Sequence, residues 1–469
     1  MQFAPKKRKL EFTPAEWHTA KPKSSPPAIL LRVIHRILLA AVSLLLLPWS
    51  LLDALFTALH IVPASLAVRK RKSASVQFIM QVKETYQALW HVVLGRDSIK
   101  SVINRIYRLI CFFFPIKKNR VSFFSCRRDV LSGNLEFVYN TLQDDPKPEF
   151  KFLLKDDANF HLRFSNIVRF LYLYATSSVV LVDEFFQLLN YVDKRPGVHL
   201  IQLWHAVGAF KTVGFSRIWK IGGPVQETWN HRQYDYALVS SKEIVPHYSE
   251  AFGVPKSHIL PLGVPRTDVF LQPSYAEKTR KALYEKYPAL QGKRVILFAP
   301  TFRGPGPKTA FYPLERFHPE QLVDAAGEDA VLLLKLHPFC KERYLIPEEY
   351  SDRVFDFSNE SEINDLLFIT DLLITDYSST VFEASLLSIP MLFYAYDLRE
   401  YIATRDFYYD FTSFVPGKIV QTEADLLQAV QTGEFEQKKV LPFRQKFFDH
   451  ADGKASERAA ALVRRLMEQ

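Results

Sequence analysis

From residue 120 onward, short apolar runs alternate with longer stretches of helical periodicity. The runs are Val121–Phe124, Phe150–Leu154, Ser178–Val182, His199–Leu203 and Tyr236–Val239, then Arg294–Ala299, Ala330–Leu336, Asp371–Thr375 and Pro390–Tyr396. Near-continuous apolar runs of this length predict strands buried on both faces, and the helical stretches between them predict parallel βαβ units. A helical segment at Tyr275–Tyr287 and a turn at Gly292 divide the runs into two sets, so two α/β domains are expected. The pattern is clearest at Asp371–Asp397. A strand to Thr375 leads into a helix over Thr380–Leu387, Pro390 stops it, and a second strand follows. The polar loop Gly304–Pro307 can be neither helix nor central strand, and Thr422–Glu468 has a helical pattern.

The amino-terminal part reads differently. Residues 1–27 are polar, basic and proline-bearing, which predicts a disordered tail. Ile29–Val68 is strongly apolar, yet its uncharged part, Ile37–Leu52, is slightly short for a spanning helix. Basic residues flank it on both sides, at Lys6–Lys9 and Arg69–Lys72, which suits a re-entrant hairpin or a helix lying in a membrane interface. A buried helical hairpin is the plain alternative. Gln77–Phe114 continues as helix with Arg105, Tyr107, Arg108 and Phe112–Phe114 intermixed, as a second surface-binding helix or as a cap on the next domain. Pro115 marks the boundary. The expected organisation is a tail over 1–27, a membrane-associating helical region over 28–115, and α/β domains over 116–290 and 291–469.

Composition narrows the function. The chain of 469 residues is 48% hydrophobic and 14% aromatic, enough for two cores. A formal charge of +10 fits an anionic membrane, an anionic substrate or nucleic acid. No zinc-finger spacing, RNP1-like motif or continuous basic helix is present, which argues against nucleic acid. Cys111, Cys126 and Cys340 are widely spaced, which fits a reducing compartment and argues against a disulfide framework. No Walker loop, GxGxxG or metal-ligand spacing occurs, so nucleotide hydrolysis, NAD chemistry and a divalent metal are not implied.

Candidate chemistry gathers at predicted strand ends. His205 follows one strand in LWHAVG, Arg266 stands in GVPRTD, Thr301 and Arg303 in APTFR, and Lys335 and His337 in KLHP. Asp376, Ser378 and Ser379 open the helix after Thr375. Any one of these has a plain structural reading: a hydrogen-bonded histidine, a surface arginine, or a helix cap with Glu383 closing a capping box. Together, at the carboxyl ends of strands flanking one crevice, they offer cationic and hydroxyl donors suited to phosphate.

Six segments carry a resemblance: LWHAVGAFK (Leu203–Lys211), GVPRTD (Gly263–Asp268), APTFR (Ala299–Arg303), KLHP (Lys335–Pro338), TDYSSTVFE (Thr375–Glu383) and YDLREYIATRDFYYD (Tyr396–Asp410). In this order, over roughly residues 118–440, they resemble the CDP-glycerol glycerophosphotransferase family of teichoic-acid primases and polymerases and the related ribitol-phosphate transferases. The resemblance implies a GT-B arrangement, with two Rossmann-like domains whose parallel sheets face a crevice. It implies transfer of an alditol phosphate, glycerol phosphate first and ribitol phosphate as the alternative, from a CDP-alditol to a lipid-linked polymer at the cytoplasmic membrane face, with no tightly bound cofactor. His205 falls on the family's general base, and Arg266, Pro300, Thr301, His337, Ser378, Ser379 and Glu383 fall on donor-holding positions. Arg303, Lys335 and Asp376 are expected to join them. Ala206, Val207, Gly208, Ala209 and Lys211 are expected beside the acceptor or its phosphate. Two departures stand out. Ala206, Val207 and Gly208 replace a commoner glycine followed by Thr-Pro, and Glu383 replaces a commoner aspartate. A sugar-transferring GT-B enzyme and an inactive membrane scaffold are the competing readings.

Overall fold

The computed structural model describes residues 100–469 apart from 127, 156–163, 219–230, 305–308 and 360–361. The expected basic tail, the apolar segment Ile29–Val68 and the earlier part of the helix expected over Gln77–Phe114 lie outside the described residues. Its later part is helical over residues 100–113, called α1. Among the described residues no helix is long and apolar enough to cross a membrane.

Two six-stranded sheets follow, and every pairing between named strands is parallel. The first comprises β1 (Lys117–Ser125), β2 (Glu149–Leu154), β3 (Ser177–Val182), β4 (His199–Gln202), β5 (Tyr236–Leu238) and β6 (Ile259–Leu260), in the order β2-β1-β3-β4-β5-β6. The second comprises β7 (Arg294–Phe298), β8 (Ala330–Leu334), β9 (Val354–Asp356), β10 (Leu372–Thr375), β11 (Met391–Tyr394) and β12 (Lys418–Val420), in the order β12-β11-β10-β7-β8-β9. The second order is that of a six-stranded Rossmann sheet, whose direction of winding reverses between its first and fourth strands. Here those strands are β7 and β10, paired through Leu373 and Leu297. Ligand groups are therefore expected beyond Phe298 and Thr375, where the helices diverge to opposite faces.

The strands form because their side chains are apolar on both faces. β3 is buried along its whole length, and so are β8, β10 and β11. Each predicted run overlaps an observed strand: β1, β2 and β3 begin before their runs, β1 by four residues, and the others are trimmed by a residue or two at their ends. β6, β9 and β12 were not predicted. β6 and β9 end their sheets at one edge and β12 ends the second sheet at the other, and each has only two or three residues.

One expected boundary is corrected. The final helix α11 (Ala455–Met467), assigned from sequence to the second domain, packs on the first. Its Ala459, Ala460, Leu462, Val463 and Leu466 share a core with Val121, Phe123 and Leu181 of the first sheet and with Leu135 and Val138 of α2 (Gly133–Leu142). Burying Leu462, Val463 and Leu466 stabilises this docking by ~1.5–3 kcal/mol each. Its amino end is held by Asp268, whose carboxylate accepts from the Ala455 and Ser456 N–H groups, both at 2.8 Å. Gly263 lies so close that a Cβ would stand 2.7 Å from that of Ala455. The GVPRTD segment thus anchors a helix as well as presenting Arg266.

Candidate active site

The exits of β10, β7 and β8, neighbours in the second sheet, bring together most of the expected donor residues. Pro300 and Thr301 follow β7, His337 follows β8, and Asp376 to Ser379 follow β10. Asp376, 1% exposed, ties the first and last of these loops. Its Oδ1 accepts from the Thr301 N–H at 2.8 Å and from the Thr301 hydroxyl at 2.9 Å. His337 packs on Phe302 and Phe339, with ring centroids at 4.7 and 4.6 Å. Its Nδ1 accepts from the Phe339 N–H at 3.2 Å, so a neutral ring carries its proton on Nε2, as a donor.

Ser378 and Ser379 open the short helix α7 (Thr380–Leu386). The Ser379 side chain makes no capping bond, and the Ser378 hydroxyl accepts from the Thr380 N–H at a long 3.3 Å. Nor does Glu383 close a capping box. It is 2% exposed and takes a hydrogen bond from Arg266, which comes from the first half of the protein. Burial pushes the Glu383 carboxyl above its ordinary range, and the Arg266 guanidinium opposes that. The pair retains unused capacity. Arg266 Nε and Glu383 Oε2 are both buried without a partner among the described residues. A buried carboxylate–guanidinium pair in this condition is costly unless a further group completes it.

Two expected donor cations are engaged within the protein. Arg303 bridges Asp376 Oδ2 at 3.0 Å and Asp397, at 2.5 and 2.8 Å, and donates to the Thr301 carbonyl at 2.7 Å. It sits among the rings of Tyr312, Tyr377, Tyr396 and Tyr401 at 5.1 to 5.9 Å. Burial disfavours its charge, but Asp376 and Asp397 hold it above its ordinary pKa. Two carboxylates already neutralise this guanidinium, so it fixes the loops that carry Thr301 and Tyr377. Lys335 is 6% exposed and donates to the Ser358 carbonyl at 3.4 Å.

In the first half, His205 stands exposed immediately after Trp204, with the two rings 4.6 Å apart. Trp204 itself is 7% exposed and adopts a left-handed backbone, φ +54°. Beneath it lies His231, whose pKa is pushed down to about 3 by burial, so that ring is a neutral packing group. The next residues do not line an open acceptor site as expected. Val207, Gly208 and Ala209 are buried, and Gly208, φ +71°, lies against the Phe382 ring of α7. Ala206 is only partly covered. Phe210 stacks on Phe407 and Phe414, Lys211 donates to the Tyr401 hydroxyl at 3.2 Å, and Thr212 bonds the Arg405 and Asp406 carbonyls. Residues 207–212 therefore weld the loop that carries His205 to the second half, because small and aromatic side chains there meet an aromatic surface.

Sequence reasoning missed Asn134. It is 2% exposed at the start of α2 and joins the His205 and Arg266 segments. An asparagine at a helix start reads as an ordinary cap, and nothing local distinguishes it.

Thr301, His337 and the Ser378 and Ser379 hydroxyls thus stand at strand exits around the second sheet's switch point, and Arg266 reaches the helix that follows from the other half through Glu383. The profile of the family described as CDP-Glycerol:Poly(glycerophosphate) glycerophosphotransferase matches residues 106–465. The teichoic acid poly(ribitol-phosphate) polymerase of Bacillus spizizenii is 42% identical over 359 residues, covering 76% of this chain and 57% of that protein. The teichoic acid ribitol-phosphate polymerase TarK of Staphylococcus aureus is 44% identical over 366 residues, covering 77% and 71%. This chain thus spans little more than half the length of the first of these relatives. A structure of the wall teichoic acid polymerase TagF, obtained after a soak with CDPG, has the same fold, with a TM-score of 0.64 at 22% identity over 83% of this chain and 98% of that one.

Proposed function

As a member of the CDP-glycerol:poly(glycerophosphate) glycerophosphotransferase family, the protein is one for which we propose transfer of an alditol phosphate from a CDP-alditol to a hydroxyl of a teichoic-acid-like acceptor. The acceptor oxygen forms a bond to the phosphorus that bears the alditol. The bond from that phosphorus to the bridging oxygen breaks, and CMP leaves. His205 takes the proton of the attacking hydroxyl, a task suited to an imidazole near neutrality. His337 Nε2–H, Arg266 and the Ser378 and Ser379 hydroxyls hold the phosphates, because phosphoryl transfer depends chiefly on positioning and charge neutralisation.

The observation that carries this reading is the Arg266–Glu383 pair. It joins the two halves at the switch point and keeps one buried donor and one buried acceptor in reserve. A nucleoside diphosphate ester offers anionic oxygens to the former and hydroxyls to the latter. Ribitol phosphate takes precedence over glycerol phosphate, reversing the order expected from sequence, because the relatives at 42% and 44% identity are ribitol-phosphate polymerases.

A membrane-surface location belongs to the same proposal. Leu109, Phe112 and Phe113 at the end of α1 are 57%, 82% and 65% exposed, beside Arg105 and Arg108. Phe114 packs on Tyr172 of α3 (Phe164–Thr176), whose exposed Val168 and Phe164 continue the same helix face at intervals of four residues. An apolar stripe with basic neighbours suits the interface of an anionic bilayer.

The test is incubation with CDP-ribitol and with CDP-glycerol separately, with a lipid-linked acceptor, scoring CMP release and the phosphodiester product. Faster release from CDP-ribitol is expected. A glycosidic product from a nucleotide-sugar, with neither CDP-alditol consumed, would replace this reading.

A further inference from the structure

His205 is presented by a backbone that does not hold itself. Strand β4 makes its last ladder bond through the Leu203 N–H, which donates to Val182 at 2.7 Å. The chain then turns through the left-handed Trp204. Both polar groups of that residue's main chain are taken by side-chain amides. Gln202 Oε1 accepts the Trp204 N–H at 2.8 Å, and Asn134 Nδ2 donates to the Trp204 carbonyl at 2.6 Å. A second bond from Asn134 Nδ2 reaches the Leu203 carbonyl at 3.3 Å. The other end of the same carboxamide, Oδ1, accepts the Arg266 N–H at 2.9 Å. No other kind of side chain of this length offers two N–H donors and an acceptor at opposite faces. In a site this buried, loss of either end would leave main-chain groups unpaired.

We propose that Asn134 is a positioning residue for the transfer reaction, setting the Trp204 turn that presents His205 and registering it against the arginine segment. The inference rests on the reading of His205 as the base. It adds a residue on a different helix, from a segment that no chemistry-bearing motif marked. Because Asn134 lies behind the turn, it touches neither substrate nor the reacting atoms, and its effect must pass through His205 and Arg266.

The two arms can be separated. Asn134→Asp keeps an acceptor for the Arg266 N–H and replaces the donor facing the Leu203 and Trp204 carbonyls with an oxygen that repels them. In the full chain, kcat for CMP release should fall ~10²-fold, the scale of a misplaced catalytic group. Donor affinity by calorimetry should be little changed. In the His205→Ala background the same substitution should lower the residual rate no further, since there is no base left to misplace. A merely structural role predicts the opposite: an equal loss in both backgrounds. If Asn134→Asp does not fold, Asn134→Ser, which keeps one donor in a shorter side chain, goes through the same two backgrounds. Wild-type kcat in the Asn134 variant, with turnover lost in His205→Ala, would overturn this inference alone. Turnover surviving in His205→Ala would overturn the base assignment and this inference with it.

Discussion

Alanine at Gly208 should separate the two halves of the site. At φ +71° an L-residue costs ~1–2 kcal/mol relative to glycine. The new Cβ would also stand 2.5 Å from Phe382 Cε2 and closer still to Cζ and Cε1. Neither side can yield easily. The Gly208 carbonyl accepts from the Tyr248 hydroxyl at 2.9 Å, bracing the loop from behind. Phe382 is fully buried against Phe443 and Phe447, at 5.2 and 5.4 Å. Overpacking of this kind costs ~1–3 kcal/mol, so the total is roughly 2–5 kcal/mol. That is a large share of the ~5–15 kcal/mol typical of a folded domain. Urea unfolding followed by tryptophan fluorescence should show a lower midpoint at an unchanged slope. Introducing Phe382→Leu removes the three ring atoms in the way. In that background, Gly208→Ala should cost only the backbone portion, ~1–2 kcal/mol. A wild-type midpoint for Gly208→Ala, or the same cost in both backgrounds, would refute the steric argument.

Arg303→Ala should destabilise by ~3–5 kcal/mol, because Asp376 and Asp397 would be left as neighbouring carboxylates, the first of them buried. It should also abolish donor binding, since the Thr301 loop loses its tie; denaturant titration and calorimetry check the two effects. Hydrogen bonding from Arg120 holds the Glu149 carboxyl down at about 2, below its ordinary 4.5. The depressed value means that this pair's contribution is fully present above pH 4.5 and is lost as pH falls toward about 2. Glu149→Gln should therefore flatten the fall in stability across that window, measured by urea titration at stepped pH. Replacing Phe112 and Phe113 by serine should reduce cosedimentation with phosphatidylglycerol vesicles, with CMP release on a soluble acceptor retained.

Much of the fold was legible because buried parallel strands are apolar on both faces and need no partner to be recognised. The strands that escaped notice, β6, β9 and β12, are edge pieces too short for any period. The attachment of α11 to the first sheet was not legible either. Its apolar stripe says that it packs, but only the Asp268 cap, 187 residues earlier, says where. Within the site, strand ends drew attention to His205, His337 and the paired serines as a set, since each alone has a plain structural reading, whereas Pro300 and Thr301 came from the family resemblance. The internal partners of Arg303 and Lys335 were not legible, because a charge looks available until its partners are known. The partners of Arg303 lie 73 and 94 residues away. The capping-box reading of Glu383 failed in the same way, through an arginine from the other half.

The central claim is that His205 acts on the acceptor hydroxyl while the second half holds the donor. Calorimetry of CDP-ribitol binding to His205→Ala, paired with CMP release by the same preparation, tests it most directly. Removing a general base should lower turnover ~10²–10⁴-fold while donor affinity stays close to wild type, provided the circular dichroism is unchanged. Donor binding lost in His205→Ala, or turnover retained, would contradict the assignment of roles to the two halves.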